Sequence, residues 1–568
     1  MMLKQLFAKS IKTFKKRKGV SNVGILCLLC ISAVASIIVV SRWNIIRIPV
    51  PHIGQVLGVP IISDISFLQE KQRVSAKENP GVCFEDVLLP YDMQEICYLS
   101  QNCNEEWIGR LTVSDELKKD YFLCAAEDSY WEKKTEAMRS NHKFVIWLVG
   151  ENDYYELQLV VSGMPVLAIE ESRQELQEKV PYEVDPDAYV YDPDILCYGT
   201  LRLFGSEMDS ERYEIVQTNV RYYLKGAMTK RLDKKSYSLK LLDYNEGEVK
   251  TSLLGMGESE SWKLNALATD ENRIREKTAA QIWEQFDSAN IEVEQPGPKE
   301  EYVEVVVNNQ YVGIYCLLKP VDEHALNLDS NDILYKMVSS DLTSDESIQT
   351  AIDNGWKVQI PIRIRYPKKI ENYHLAWYPI RDWLNIFYNN ETVDYKRIEN
   401  KAQITNLEDA TMFLMTCTAS DNSFKNSYYA ANVSSPGEYM MTWCPWDLDY
   451  TFGNMCDGEM KDVSTFNNDY KVVYQNNEFE KLMSTDGSEI GEEFLMRWKE
   501  YREGFLSTDN IVGLLKKNRN YLIETGAMER EKKRWPEYGI SEDIDYLLEY
   551  QEKRMEWLDE YFEAWTSQ

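Results

Sequence analysis

Between Asp421 and Gly453, two aromatic, β-favouring runs flank a turn-rich patch from Asn432 to Gly437. The runs are Asp421-Asn-Ser-Phe-Lys-Asn426-Ser-Tyr-Tyr429 and Tyr439-Met-Met-Thr-Trp443, and the pattern predicts a hairpin. Its outer ends carry Asp421 and Asn426 on one side, and Asp447 and Asp449 of Pro445-Trp446-Asp447-Leu448-Asp449 on the other. Pairing the runs brings three carboxylates and a carboxamide to one place. Such oxygen donors suit a hard divalent cation such as Mg2+, which leaves positions open for phosphate and water. The plain alternative is a set of solvated loop carboxylates.

A chain of 568 residues, 44% hydrophobic and 12% aromatic, has material for two or three domains. Its net charge of −30 is uneven. The first 63 residues hold nine Lys or Arg and no acid, which leaves −39 on the remainder. So acidic a body repels nucleic acid, and no nucleic-acid partner is expected; the charge suits basic protein substrates or serves solubility. Residues 1–20 form a basic tail, and 21–41 read as a transmembrane signal anchor. This predicts a single-pass protein of the cell membrane, N-terminus inside and body extracytoplasmic. A secretory signal cleaved after Ala33-Val34-Ala35 is the competing reading. Cys83, Cys97, Cys103 and Cys124 are close enough to form one or two disulfides, and four histidines leave little for a zinc site.

Residues 42–67 read as a linker and 68–195 as a β-rich module with runs such as Phe144–Val149 and Tyr155–Val161. In 196–340, alternation predicts a strand over 234–242 that places Lys235 with Tyr237, Leu239 and Leu241 on one face. Lys235 is therefore the lysine expected to point inward; a solvated basic face is the alternative. Thr269 or Asp270 suits the N-cap of an amphipathic helix carrying Ile274, Thr278, Ile282 and Phe286. Arg275 on that helix is expected to reach phosphate, lock a carboxylate or form a surface ion pair. Tyr302–Leu318 is a hairpin turning at Asn308-Asn309. Residues 341–568 are mainly helical around the Asp421–Gly453 hairpin, and the helix over 407–419 delivers Asp421.

Five of these segments come in a recognisable order. They are Lys225-Gly226…Lys234-Lys235-Ser-Tyr237, Trp262-Lys-Leu…Asp270-x4-Arg275, Val303-Glu-Val-Val-Val-Asn308…Gly313-Ile-Tyr315, Asp421-x4-Asn426 and Pro445-Trp446-Asp447-Leu-Asp449-x-x-Phe452-Gly453. Together they resemble the CotH (spore coat protein H) family of atypical, kinase-like proteins over residues 150–565. The resemblance implies an α+β, divergent protein-kinase-like two-lobed fold, here preceded by the β-rich module and the transmembrane helix. The lobes would be 196–340 and 341–568. It further implies transfer of the ATP γ-phosphate to Ser/Thr of coat, wall or secreted proteins with Mg2+ or Mn2+.

Asp421 would be the catalytic carboxylate, and Asn426, Asp447 and Asp449 the metal ligands, the two aspartates unranked. Lys235 or Lys234 would contact phosphate, with Asp270 and Arg275 in the helix beside the nucleotide. Asp-x4-Asn is also the spacing of a protein-kinase catalytic loop, although Ala419-Ser420 stands where His-Arg would. Lys225-Gly226 replaces the family's Arg-Gly, and Lys319-Pro320 stands where relatives carry Glu, with Asp322 or Glu323 as substitutes. A surface or spore-coat assembly protein whose kinase-like body only binds partners is the alternative.

Overall fold

The structure is a computed structural model that describes residues 45–49, 59–100, 111–176, 195–205, 212–226, 229–338, 362–388, 395–422, 425–454 and 489–565. Its centre is a barrel. Strands Arg212–Leu224, Ile195–Gly205, Val166–Leu176, Lys299–Val307, Gln310–Lys319, Ser261–Asn265 and Tyr237–Leu242 pair in that order, and the last pairs back onto the first. All neighbours run antiparallel except Val166–Leu176 beside Lys299–Val307. Two-residue alternation explains the closure: Leu201 and Leu203, Leu239 and Leu241, Val303 and Val305, and Tyr315 and Leu317 all face one buried interior. The turn between Lys299–Val307 and Gln310–Lys319 is made by Asn308 and Asn309, both at positive φ (50° and 58°), as a two-residue hairpin requires.

Ahead of the barrel, seven short strands between Ile61 and Ser162 build a second sheet with its own core around Phe84, Leu99, Phe144 and Leu157. The chain leaves that sheet at Ser162 and enters the barrel at Val166. Pairing therefore crosses the boundary expected at residue 195. Cys83, Cys97 and Cys124 are buried free thiols.

The expected fold class is corrected on two counts. The strand-rich half is a closed barrel that recruits Val166–Leu176 from the supposed separate module, not a small lobe confined to 196–340. Among the described residues no helix is long and apolar enough to cross a membrane, so a transmembrane helix is not part of the observed α+β architecture. The segment expected to span, 21–41, lies outside the described residues.

Beyond the barrel, Ile362–Tyr366, Ile333–Met337, Ser427–Ser435 and Glu438–Pro445 form a four-stranded antiparallel sheet in that spatial order. The predicted hairpin supplies its last two strands and turns at Gly437, whose φ of 88° suits glycine. Helices Arg275–Ala289, Tyr373–Tyr388, Ile404–Thr416, Glu489–Glu503, Thr508–Glu524 and Asp545–Trp565 pack with this sheet around one large core. Trp283 at its heart meets Phe413 and Trp443 edge-on, each at 5.2 Å.

Candidate active site

The open ends of the hairpin face the barrel. Helix Ile404–Thr416 ends with Thr418 at φ 49°, and a single 3-10 turn, Ser420–Asn422, presents Asp421. Asn422, fully buried, donates from Nδ2 to the carbonyls of Asn426 (2.8 Å) and Trp446 (2.6 Å). This clip holds the beginning of the first strand against the end of the second. The Trp446 N–H donates to the Asn426 carbonyl at 2.9 Å, and the Phe452 N–H donates to the Cys417 carbonyl at 2.6 Å. Asn426, Asp447 and Phe452 lie at positive φ (52°, 61° and 53°), a conformation that non-glycine residues hold only under such constraint.

The carboxylates gathered there are not bathed in water. Asp421 accepts from Asn426 Nδ2 at 2.8 Å and from Lys425 Nζ at 3.0 Å. Asp447 accepts from Lys225 Nζ at 3.0 Å, and its side chain keeps 31% exposure. Burial pushes the Asp447 carboxyl up, but the Lys225 ammonium, aided by Lys336 and Lys425, outweighs this and holds it below the usual range. Asp449 behaves oppositely. Burial, then the charges of Asp447 and Glu276, push it well above the carboxylate range, while Thr269 Oγ1 donates to it at 3.0 Å. Glu276 is likewise raised by burial and by Glu300, and Glu300 is raised to about 7 by burial. Crowded carboxylates that must take up protons are a set that a cation would relieve.

Lysines line the facing side. Lys225 follows barrel strand Arg212–Leu224, Lys263 lies on Ser261–Asn265 and Lys336 on Ile333–Met337. Trp446 is shared between Lys225 Nζ (5.6 Å from the ring centre) and Lys336 Nζ (5.3 Å), a cation–π arrangement that orients both. Burial and neighbouring cations, chiefly Lys225 and Lys336, push Lys263 down to about 7. Burial pushes Lys336 to about 7 despite Asp447, with Arg365 and Lys225 adding to the fall. Burial opposes the charge on Lys225 too, but Asp447 and then Glu276 raise it above its ordinary value. The arrangement is an acidic edge against a cationic edge, joined by the Lys225–Asp447 pair.

Asp421, Asn426, Asp447 and Asp449 thus come together, whereas the nucleotide-side residues expected from the sequence do not join them. Lys234 is fully buried and bonds Glu531 and the Ile314 carbonyl, beside an Arg273 Nε–Glu531 pair of 2.9 Å. Lys235 donates to the Lys230 carbonyl at 2.8 Å. The reason is local: the strand begins only at Tyr237, so the two-residue alternation does not extend back to the lysines. Asp270 accepts from the amides of Ile274 (2.6 Å) and Arg275 (2.8 Å) and pairs with the Arg275 guanidinium, which also donates to Tyr546 Oη at 2.8 Å. Asp270 and Arg275 are therefore a buried helix cap and lock, not a phosphate contact. Of the substitutes for the missing glutamate, Asp322 caps the His324 and Ala325 amides, and Glu323 pairs with Lys368 at 3.7 Å.

Lys225, Lys263, Lys336, Glu276 and Asn422 also stand at this junction, although they were not among the candidates expected from the sequence. Lys225 and Lys263 sit inside two of the motif segments, as Lys225-Gly226 and Trp262-Lys263-Leu264, so a signal for them was present. Lys336 and Asn422 carried none.

A closed barrel docked on a helix-and-hairpin half, with carboxylates and lysines facing each other at the junction, defines an α+β chain. The family model described as CotH kinase protein matches residues 223–558, more than half of the chain, and the chain belongs to that family. No curated protein matches it. The matched span contains every carboxylate and lysine of the cleft but begins after most of strand Arg212–Leu224.

Proposed function

We propose that this chain transfers the γ-phosphate of ATP to a Ser or Thr hydroxyl of a protein. The observation that carries this reading is the junction itself: Asp421, Asn426, Asp447 and Asp449 at the hairpin ends, against Lys225, Lys263 and Lys336. Asp421 is poised to accept the hydroxyl proton as the new phosphorus–oxygen bond forms. Asn426 and Lys425 fix the orientation of its carboxylate. The lysines offset the charge on the phosphate oxygens as the bond to ADP breaks, and most of the acceleration comes from positioning and charge.

Asp447, Asp449 and Asn426 are the donors that would hold Mg2+ or Mn2+. Among the described residues no three acidic, His or Cys side chains meet closely enough to hold a metal by themselves. Two carboxylates and a carboxamide nevertheless fit Mg2+, which keeps its remaining positions for phosphate and water. A metal ion held by these donors would supply charge neutralisation for the phosphate.

A second reading, a partner-binding protein without transfer activity, is favoured by one observation: Asp447 and Asp421 are already paired with the chain's own lysines. ATP labelled separately at the α- and γ-phosphates discriminates. Transfer of γ-label to protein, lost in Asp421→Asn and Asp447→Asn variants that keep their Tm, is expected. Absence of label in the wild type supports the second reading, and α-label points to nucleotidyl transfer.

A further inference from the structure

Lys225 reaches the hairpin from the other half of the molecule. Its Nζ donates to Asp447 Oδ1 at 3.0 Å across 222 positions of sequence. The backbone beneath it is fixed. Its N–H donates to the Ser236 carbonyl at 2.8 Å, and the next residue, Gly226, lies at φ 97° with Thr229 Oγ1 where a Cβ would stand. The ammonium itself rides on a flexible stem, and among the described residues Asp447 is its one hydrogen-bond acceptor. Burial opposes its charge, while Asp447, Glu276 and Asp449 sustain it. A cation of the chain therefore already stands among acids that include two of the donors named for a metal.

We infer that Lys225 holds the place of the metal at Asp447 and makes metal and nucleotide bind as a pair. The inference rests on the transferase reading, because the exchange needs a nucleotide phosphate. Without nucleotide, Lys225 can share the carboxylate with a divalent cation only against like-charge repulsion. Leaving it would strand an ammonium whose side chain is 16% exposed and has no second anion to turn to. A phosphate oxygen supplies that anion, and Lys225 then changes ionic partner and keeps its protons. Metal and nucleotide each strengthen the other by the same factor, as linkage requires. A lysine that served only as a phosphate contact would behave differently: its loss would leave the affinity for metal alone unchanged.

Titration of Mn2+ into the full chain, with free Mn2+ followed by its EPR signal, tests this without turnover. In the absence of nucleotide, Lys225→Met is expected to bind Mn2+ about tenfold more tightly than the wild type. With AMP-PNP present, the wild type should gain a comparable factor, Lys225→Met should gain little, and Lys225→Arg should follow the wild type. Lys225→Met/Asp447→Asn should lose the tight binding, which assigns it to Asp447. Lys225→Gln repeats the measurement if Lys225→Met has lost its fold. Equal Mn2+ affinity of the wild type and both uncharged variants without nucleotide, or tight binding that survives Asp447→Asn, overturns the inference while leaving the transferase reading standing. A wild type that binds no Mn2+ even with AMP-PNP ends both.

Discussion

Glu300 shows how finely the site depends on single groups. It is 7% exposed, its carboxyl is raised to about 7 from an ordinary 4.5, and Lys277 offsets only part of the burial. Between those values the folded chain holds a proton that the unfolded chain has lost. Stability from this group is therefore complete below pH 4.5 and falls as pH rises through 7. Glu300→Gln should consequently gain stability relative to wild type on going from pH 5 to pH 8, on the order of 1–3 kcal/mol. Urea midpoints at the two pH values check this, and an unchanged difference would remove Glu300 from the acidic cluster. Asn422 is a second single-residue case. Its Nδ2 clips both hairpin ends, so Asn422→Ala should lower phosphate transfer at least tenfold through misplacement of Asp421 and Asp447. The Tm would report the accompanying loss of two buried hydrogen bonds, about 1–3 kcal/mol.

Among the elements, the hairpin was the most legible, because aromatic runs around a Pro-Gly turn leave few alternatives to pairing. The hairpin at Asn308-Asn309 was legible for the same reason. The strand before it was not. Leu239 and Leu241 fix its face, but nothing in Lys234-Lys235 announces that pairing stops at Tyr237, and one residue of register decides which lysine turns inward. The barrel was hidden for a different reason: its closure pairs Arg212–Leu224 with Tyr237–Leu242 and also joins Val166–Leu176 to Lys299–Val307, contacts that no local period encodes. Likewise Lys336 on its short strand reads as surface until Trp446 and Asp447 are brought beside it.

Helix Arg275–Ala289 was foreseen, but it starts later than an N-cap at Thr269 or Asp270 would have it: Ile274 holds the N-cap position, and Asp270 caps the Ile274 and Arg275 amides from upstream. Asp270→Ala removes that cap and strands the buried Arg275 guanidinium, so it should cost roughly 3–5 kcal/mol in urea unfolding. A loss below 1 kcal/mol would return Asp270 to the candidates for nucleotide contact.

The molecule as a whole is held by buried charge between its halves. Glu531, on helix Ala527–Arg534, meets Lys234, Arg273 and the Ile314 amide of the barrel, all out of contact with water. The residue before it on that helix, Arg530, pairs with Glu304 of the barrel at 2.6 Å. Gly313 has to be glycine here, since a Cβ would overlap the Glu531 carboxylate. Glu531→Ala leaves two cations without their partner and should destabilise the chain by roughly 3–5 kcal/mol.

The most direct test of the cleft is the thermal response of the full chain to ATP alone, Mg2+ alone and the two together. A ligand held at a hundred times its dissociation constant adds about 2.7 kcal/mol to stability. A clear rise in Tm is expected with both present, a much smaller one with either alone, and none in Asp447→Asn. A rise that needs no metal, or that persists in Asp447→Asn, would show that phosphate and cation do not meet at the hairpin ends.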